Sequence, residues 1–283
     1  MKKILLVVII IGVAVFFLIK KSARPKPAPI IPREEINITI IPGWNLRQVA
    51  EMLVKNNIVK NDDEFYGKLG QPAYNYAAFG KSAPVLNFRD DSGAEIFPLL
   101  SGKPDGVSYE GYFFPDTYRV YKDARLEDLL KKVFANLEEK ITSETRAEII
   151  NENRNFFQAL IMASILEKEV KFDEDRAMVA DILWRRYKKN WALQVDSSVH
   201  YAVARTGDVF TTAKERDYDS PWNTYKYPGL PPGPISNPGF SSLRAAINPR
   251  ANDYWFFLTD KEGRARFART LEEHNHNKFK YLK

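Results

Sequence analysis

The chain opens with an unbroken apolar run, Ile4 to Ile19, bracketed by Lys2-Lys3 and Lys20-Lys21. Sixteen residues are short for a spanning helix, but lysine stems can snorkel to both interfaces and extend the reach. A cleaved signal peptide has the same basic start and apolar middle. Here the run leads into two lysines instead of a small-residue cleavage site, so an uncleaved single-span transmembrane helix is expected. Ser22 to Pro32 follows with four prolines and no period, the pattern of a stiff linker.

The period then changes. Ile36-Asn37-Ile38-Thr39-Ile40 alternates like a strand, and Pro42-Gly43 turns the chain. Leu46, Val49, Ala50 and Leu53 recur at helical spacing, with Asn56-Asn57 closing that helix and a second short helix expected from Asp62 to Leu69. Residues 71 to 108 are turn-rich and without period. The aromatic stretch from Glu110 to Tyr121 ends in an expected strand. Leu126, Leu129, Leu130, Val133, Phe134, Leu137 and Ile141 then trace one face of a long helix.

Phe156 to Leu166 is apolar nearly all round, which predicts a helix buried in a core. Asp173 starts another helix through Tyr187, and a further one is expected after Asp196, through Val199 to Ala204. Ser220 to Pro249 holds seven of the 17 prolines with Gly229, Gly233 and Gly239, so neither helix nor central strand is expected there. The segment Tyr254 to Thr259, a turn over Asp260–Gly263, a strand near Arg264–Ala268 and a helix from about Leu271 complete the chain. The predicted fold is α+β. A tail and anchor fill 1–21, a linker 22–35, a small module with its connecting region 36–108, and a mixed α+β domain 109–283.

Charge changes this picture at one point. The net +6 invites a nucleic-acid partner, but Lys2, Lys3, Lys20, Lys21, Arg24 and Lys26 precede every acidic residue. Beyond them, basic and acidic residues balance at 36 each. A neutral body argues against a surface that tracks phosphates, so no nucleic acid is expected. The segment after the apolar run is more basic than the two lysines before it, yet long domains translocate largely regardless of charge, so orientation is left to function. With no cysteine, disulfide frameworks, zinc ribbons and cysteine nucleophiles are excluded.

Nucleotide-binding glycine motifs, the P-loop and the nucleophile-elbow motif are absent from the sequence. His200, His274 and His276 are the only histidines, and the His274/His276 pair reads as a solvated tail in preference to a metal site, so no metal or other cofactor is expected. Carboxylates are therefore the natural acid/base candidates. Glu167 directly follows the apolar helix, near its C-terminus, where burial and the helix dipole both disfavour charge and suit a general acid. The alternative is a surface glutamate paired with Lys168 or Lys171. Tyr225, Trp222 and Asn223 on the proline-stiffened segment Ser220–Tyr227 suit sugar rings, or else form a structural loop over the core. Gln194 and Asp196 make a polar pair before a helix, with a plain N-cap as the other reading of Asp196.

Several stretches together resemble the YceG-like family of endolytic murein transglycosylases. They are Glu110–Tyr118 (EGYFFPDTY), Ala163–Glu169 (ASILEKE), Leu193–Ser198 (LQVDSS), Ser220–Tyr225 (SPWNTY), Gly229–Gly239 (GLPPGPISNPG), Ala245–Pro249 (AAINP) and Tyr254–Asn275. They occur in the family's order over most of residues 110 to 275. Val170 departs where a threonine is common, as does His200 where another residue is often found. The resemblance implies a short cytoplasmic tail, one span of the cytoplasmic membrane and an extracytoplasmic body. It also implies a LysM-like glycan-binding module over residues 36 to about 70.

In that family the first glutamate of the Glu-Lys-Glu motif is catalytic, which here is Glu167. The implied reaction cleaves the β-1,4 bond between N-acetylmuramic acid and N-acetylglucosamine in nascent peptidoglycan and leaves 1,6-anhydro ends, terminating glycan elongation. One carboxylate serves as acid and then base, because the muramic C6 hydroxyl is the nucleophile. Gln194, Asp196, Asn223, Tyr225 and Glu110 are the expected sugar-positioning residues. Peptidoglycan strands, the membrane and peptidoglycan synthases are the expected partners. A muramidase-type hydrolase using Glu169, Glu110 or Asp196 as second carboxylate, and a non-catalytic wall-binding scaffold, are the competing readings.

Overall fold

Residues 32–73, 84–205 and 211–282 are described by a computed structural model of the chain. The expected anchor and most of the proline linker lie outside them, and among the described residues no helix is long and apolar enough to cross a membrane. The chain divides at Glu34/Glu35 into two units.

The second unit begins with β1 (Glu35–Thr39), whose alternation puts Ile38 in the core. Helix α1 (Leu46–Lys55) follows, started by an Asn45/Gln48 capping box and buried along Leu46, Val49, Ala50 and Leu53, the positions expected from its spacing. Asn56 caps it and Asn57 takes φ 56°, so the two asparagines end the helix by turning left-handed. After α2 (Asp62–Leu69) and the single-turn α3 (Pro98–Ser101) comes β2 (Thr117–Tyr121). It pairs antiparallel with β1, Ile38 opposite Tyr118. The strand-helix-helix order expected for the N-terminal module is present, and the strand's partner lies at 117–121, beyond residue 108.

Helix α4 (Leu126–Lys140) packs on β2, and α5 (Ser143–Asn151) leads to α6 (Phe156–Glu169). Every residue of α6 from Phe157 to Leu166 is buried except Gln158, so this helix is the axis of the fold. Around it lie α7 (Asp173–Lys188), α8 (Asp196–Ala202) and α10 (Phe240–Ile247), with α9 (Ala213–Arg216) as a short turn beside α8. An antiparallel hairpin, β3 (Phe256–Thr259) and β4 (Ala265–Ala268), and α11 (Leu271–Tyr281) finish the chain. The architecture is mixed α+β with small sheets, and one hydrophobic core runs from Ile38 through α6 to Ala265.

Helix α10 corrects the expectation of no helix between Ser220 and Pro249. The prolines of that stretch end at Pro238 and resume at Pro249, and the window between them carries Phe240, Leu243, Ala246 and Ile247 at helical spacing. The proline-rich segment docks on α6 through Ser164, whose Oγ accepts from the Ile235 N–H (3.0 Å) while Ser236 Oγ donates to the Ser164 carbonyl (3.1 Å). Gly111 sits at φ 87° beneath it, and a Cβ there would lie 2.7 Å from Pro234 Cβ, so only glycine allows this approach.

Candidate active site

Glu167 occupies the last turn of α6, with its side chain one-tenth exposed. Its two oxygens are held differently. Oε2 accepts from the Gly239 N–H (3.0 Å) and from Ser242 Oγ (2.7 Å). Gly239 is the N-cap of α10 and Ser242 lies in its first turn, so the carboxylate meets the positive end of that helix. Oε1 faces Arg176 Nη2 at 3.8 Å, close enough for attraction and too long for a hydrogen bond. Arg176 is fixed by donating Nε to the Val170 carbonyl (3.0 Å) and Nη1 to Asp173 Oδ1 (2.6 Å). The cationic neighbour is thus Arg176, and not the Lys168 or Lys171 of the alternative surface-glutamate reading.

The β1–α1 turn forms the adjoining wall. Gly43 takes φ 82°, and a Cβ built there would stand 3.7 Å from Glu167 Cγ. Lys168 Nζ donates to the Gly43 carbonyl (3.4 Å). Asn237, fully buried, stitches this turn in place. Its carbonyl accepts from the Gly43 N–H (2.9 Å), its backbone N–H and Nδ2 both reach the Trp44 carbonyl (2.6 and 2.9 Å), and its Oδ1 accepts from the Phe113 N–H (3.0 Å). One amide therefore fastens the 43–44 turn, the aromatic 110–118 motif and the proline loop around a single carboxylate.

A second polar group lies beyond the α6 terminus. Glu169 Oε1 accepts from the Ser197 N–H (3.1 Å) at the start of α8, and burial, with Asp196 nearby, pushes its carboxyl above the ordinary glutamate range. Asp196 is the first residue of α8 and Val195 is the N-cap, so the plain N-cap reading of Asp196 does not hold. Asp196 Oδ1 accepts from Tyr225 OH (2.7 Å), and burial together with that bond raises the phenol. Gln194 has an exposed side chain on a backbone at φ 56°, an unusual left-handed position for a non-glycine. Its N–H bonds the Thr224 carbonyl (3.1 Å), and Thr224 Oγ1 accepts from the Val195 N–H (3.0 Å). The structure thus brings Gln194, Asp196, Tyr225 and Glu169 together.

Two expected sugar contacts are corrected. Asn223 is 0% exposed. Its Nδ2 donates to the Arg216 and Tyr218 carbonyls (2.8 Å each) and its Oδ1 accepts from the Tyr225 N–H (3.0 Å). The side chain is consumed in holding its own loop, and Trp222 is buried beside it. Glu110 is 1% exposed in the core. Both its oxygens lie 3.0 Å from the Leu46 N–H at the start of α1, and Oε2 also accepts from Tyr201 OH (2.9 Å). Burial pushes its pKa up to about 7 against the helix N–H, the tyrosine hydroxyl and the charge of Arg47. It braces α1 and does not reach a substrate surface. Among the described residues no group of three or more histidines and carboxylates could hold a metal.

The model of the family described as YceG-like matches residues 19–280. The chain belongs to the YceG-like family. It is 34% identical over 255 residues to the endolytic murein transglycosylase of Bacillus subtilis (strain 168), covering 87% of this chain and 65% of that protein. Against the endolytic murein transglycosylase of Streptococcus pneumoniae serotype 2 (strain D39 / NCTC 7466) the identity is 28%, over 87% of this chain and 45% of the relative. The chain therefore spans about half to two thirds of these curated relatives. A 2.6 Å crystal structure of a yceG-like protein from Listeria monocytogenes superposes with a TM-score of 0.67 at 33% identity, over 85% of this chain and 74% of that one.

Within this YceG-like fold, the partners of Glu167 are what sequence reasoning missed. Ser242 and Gly239 were hidden by the density of prolines around α10. Arg176 stands on the first turns of α7, and its spacing from Glu167 follows no helical period, so only the packing of α6 on α7 reveals it. Arg186 was missed as well. It is a 5%-exposed guanidinium that donates Nη1 to the Leu193 carbonyl (2.7 Å) and Nε and Nη2 to the Trp255 carbonyl (3.1 and 2.6 Å). Burial pushes it down to about 10, so it stays cationic at neutral pH.

Proposed function

We propose that this chain is a lytic transglycosylase that cleaves murein glycan strands, with Glu167 as its single acid and base. The observation that carries this reading is the unequal treatment of the two Glu167 oxygens. Among the described residues Oε2 is occupied by two donors, while Oε1 has only a guanidinium beyond hydrogen-bond distance, and so is the oxygen that exchanges a proton. As acid, Oε1 protonates the leaving glycosidic oxygen as the C1–O4 bond breaks. As carboxylate, it then takes the proton of the muramic C6 hydroxyl while O6 bonds to C1, closing the anhydro ring and regenerating the acid for the next turn after that proton is received. The relatives named endolytic murein transglycosylase support this reaction class.

The hydrolase alternative needs a second free carboxylate. Glu110 is committed to the α1 N-terminus, Glu169 to the start of α8 and Asp196 Oδ1 to the Tyr225 hydroxyl, which favours the one-carboxylate mechanism. Gln194, Asp196 and Tyr225 would then position the sugar ring and its acetamido group. The apolar run Ile4–Ile19 would anchor the chain in the cytoplasmic membrane with residues 35–283 outside it. There it would meet nascent strands beside the synthases and end their elongation. The β1–α1–α2 segment would act as a LysM-like glycan contact.

The full-length chain in detergent, incubated with purified peptidoglycan and followed by mass spectrometry, tests the reaction. Fragments one water lighter than hydrolysis products, lost in Glu167→Gln, are expected. Reducing-end products would overturn it in favour of a hydrolase, and no product would favour a scaffold. A reporter fused at Lys283, active only on the cytoplasmic side, would overturn the topology.

A further inference from the structure

Trp191 and Trp255 form an aromatic pair that the reaction chemistry leaves unused. Their rings stack with centroids 5.6 Å apart and planes 23° apart, and Trp191 remains 36% exposed. Phe256 meets Trp191 in an edge-type contact (5.7 Å), and His274 stacks in turn on Phe256 (5.5 Å). Burial, with Lys278 and Arg186 nearby, pushes His274 down to about 4, so this stack is neutral at physiological pH. A tryptophan at the surface presents a flat apolar face with a polar N–H, which suits a ligand that is part apolar and part hydrogen-bonding.

The pair is built into the same scaffold as the site. Arg186 bonds the carbonyl of Trp255 and that of Leu193, the residue before Gln194, so one buried cation sets the platform and the Gln194–Asp196 segment relative to each other. On the other side, β3 runs from the platform to Thr259, whose Oγ1 donates to the Glu169 carbonyl (2.8 Å) at the end of the catalytic helix. Four residue steps of strand make that path about 13 Å long. The platform, Gln194, Asp196 and the Glu167 end of α6 are therefore consecutive along one connected stretch of structure.

Its chemistry fits a sugar ring better than an anion. Arg185, 4.4 Å from the Trp255 ring, is already engaged by Asp181 (2.9 Å) and the Tyr254 carbonyl, and Arg186 is engaged by carbonyls. Arg186 also lies over the Trp191 ring (5.2 Å) and Lys189 Nζ over the Trp255 ring (5.5 Å), so what stays accessible is the 36% exposed part of Trp191. We propose that Trp191, backed by Trp255, is a glycan subsite remote from the scissile bond, stacking a further sugar of the same strand that Glu167 cleaves. This rests on the murein-strand reading above, and it makes the enzyme prefer long strands over short ones.

The test compares full-length wild type, Trp191→Leu and Trp191→Phe on long glycan strands and on short murein oligosaccharides. Leucine keeps apolar packing and removes the flat face; phenylalanine keeps a face. Loss of one stacking contact should raise KM for long strands about two- to tenfold in Trp191→Leu, with kcat and the short-substrate KM unchanged and Trp191→Phe close to wild type. An unchanged long-strand KM in Trp191→Leu would overturn the proposal. So would an equal rise on long and short substrates, which would place the effect in the 193–196 segment. Co-sedimentation of the same proteins with intact peptidoglycan separates the two hypotheses. If wild type binds without cleaving, and Trp191→Leu binds less, the subsite stands while the transglycosylase reading falls. Equal sedimentation together with unchanged kinetics removes the subsite alone.

Discussion

Ser242 Oγ donates a 2.7 Å hydrogen bond to Glu167 Oε2, joining the first turn of α10 to the last turn of α6. With the Gly239 N–H it leaves, among the described residues, one oxygen of the carboxylate without a hydrogen-bond donor. Preorganised donors of this kind need no rearrangement as charge develops.

Ser242→Ala should therefore lower kcat while leaving KM near wild type. A hydrogen bond to a charged group is worth about 1.5–3 kcal/mol, which corresponds to a loss of about ten- to a hundredfold. Rates of anhydro-end formation measure it. Ser242→Thr, which keeps the hydroxyl, should recover much of the rate; a variant with normal kcat would show that Gly239 alone suffices.

Gly43→Ala probes the adjoining turn. The φ of 82° puts an L-residue in the left-handed region at a cost of about 1–2 kcal/mol, while the added methyl comes only to ordinary contact with Glu167 Cγ at 3.7 Å. The expected result is a modest fall in thermal midpoint, and any loss of activity comes from the strained turn shifting beside Glu167 and not from a clash with it. Equal stability with full activity would mean the turn tolerates the residue without strain.

Much of this was legible from periodicity. The alternation of β1, the spacing of α1 and α4, and the apolar run of α6 each matched the elements found, because in each case burial on one face or all round dictates the residue pattern. Glu167 could be singled out from its place directly after the apolar run of α6, but its partners could not. Ser242 sits in a helix masked by flanking prolines, and Arg176 and Asn237 act across contacts between distant segments. Asn223 and Glu110 misled for a related reason. A polar residue in an aromatic motif reads the same whether it faces a ligand or satisfies buried backbone groups, and only the folded partners separate the two.

Arg186 offers a stability prediction. It is buried, has only carbonyl oxygens as its described hydrogen-bond partners, and removing it leaves the Leu193 and Trp255 carbonyls short of donors. Arg186→Met should destabilise by about 2–4 kcal/mol, from the buried Leu193 carbonyl and the part-buried Trp255 carbonyl losing their donor. Urea unfolding measures it, and a loss below about 0.5 kcal/mol would show that water replaces the guanidinium.

Glu110 predicts how stability follows pH. Its folded-state pKa of about 7 stands above its ordinary value of 4.5, with burial as the main cause. Between those two values the folded protein holds a proton that the unfolded chain has released, so raising the pH favours unfolding. The contribution is fully present below about pH 4.5, declines through the interval, and levels off above about pH 7; the gap is worth about 3 kcal/mol. Other groups titrate over the same range, so the informative quantity is the difference between wild type and Glu110→Gln. Glutamine keeps an acceptor for the Leu46 N–H and cannot ionise. Relative to wild type, Glu110→Gln should gain stability progressively from pH 4.5 to pH 7.5 in urea titrations, by an amount approaching that gap. A difference that stays constant across the interval would show that Glu110 titrates in the folded state as it does in the unfolded chain, and that its bonds to Leu46 and Tyr201 fully offset its burial.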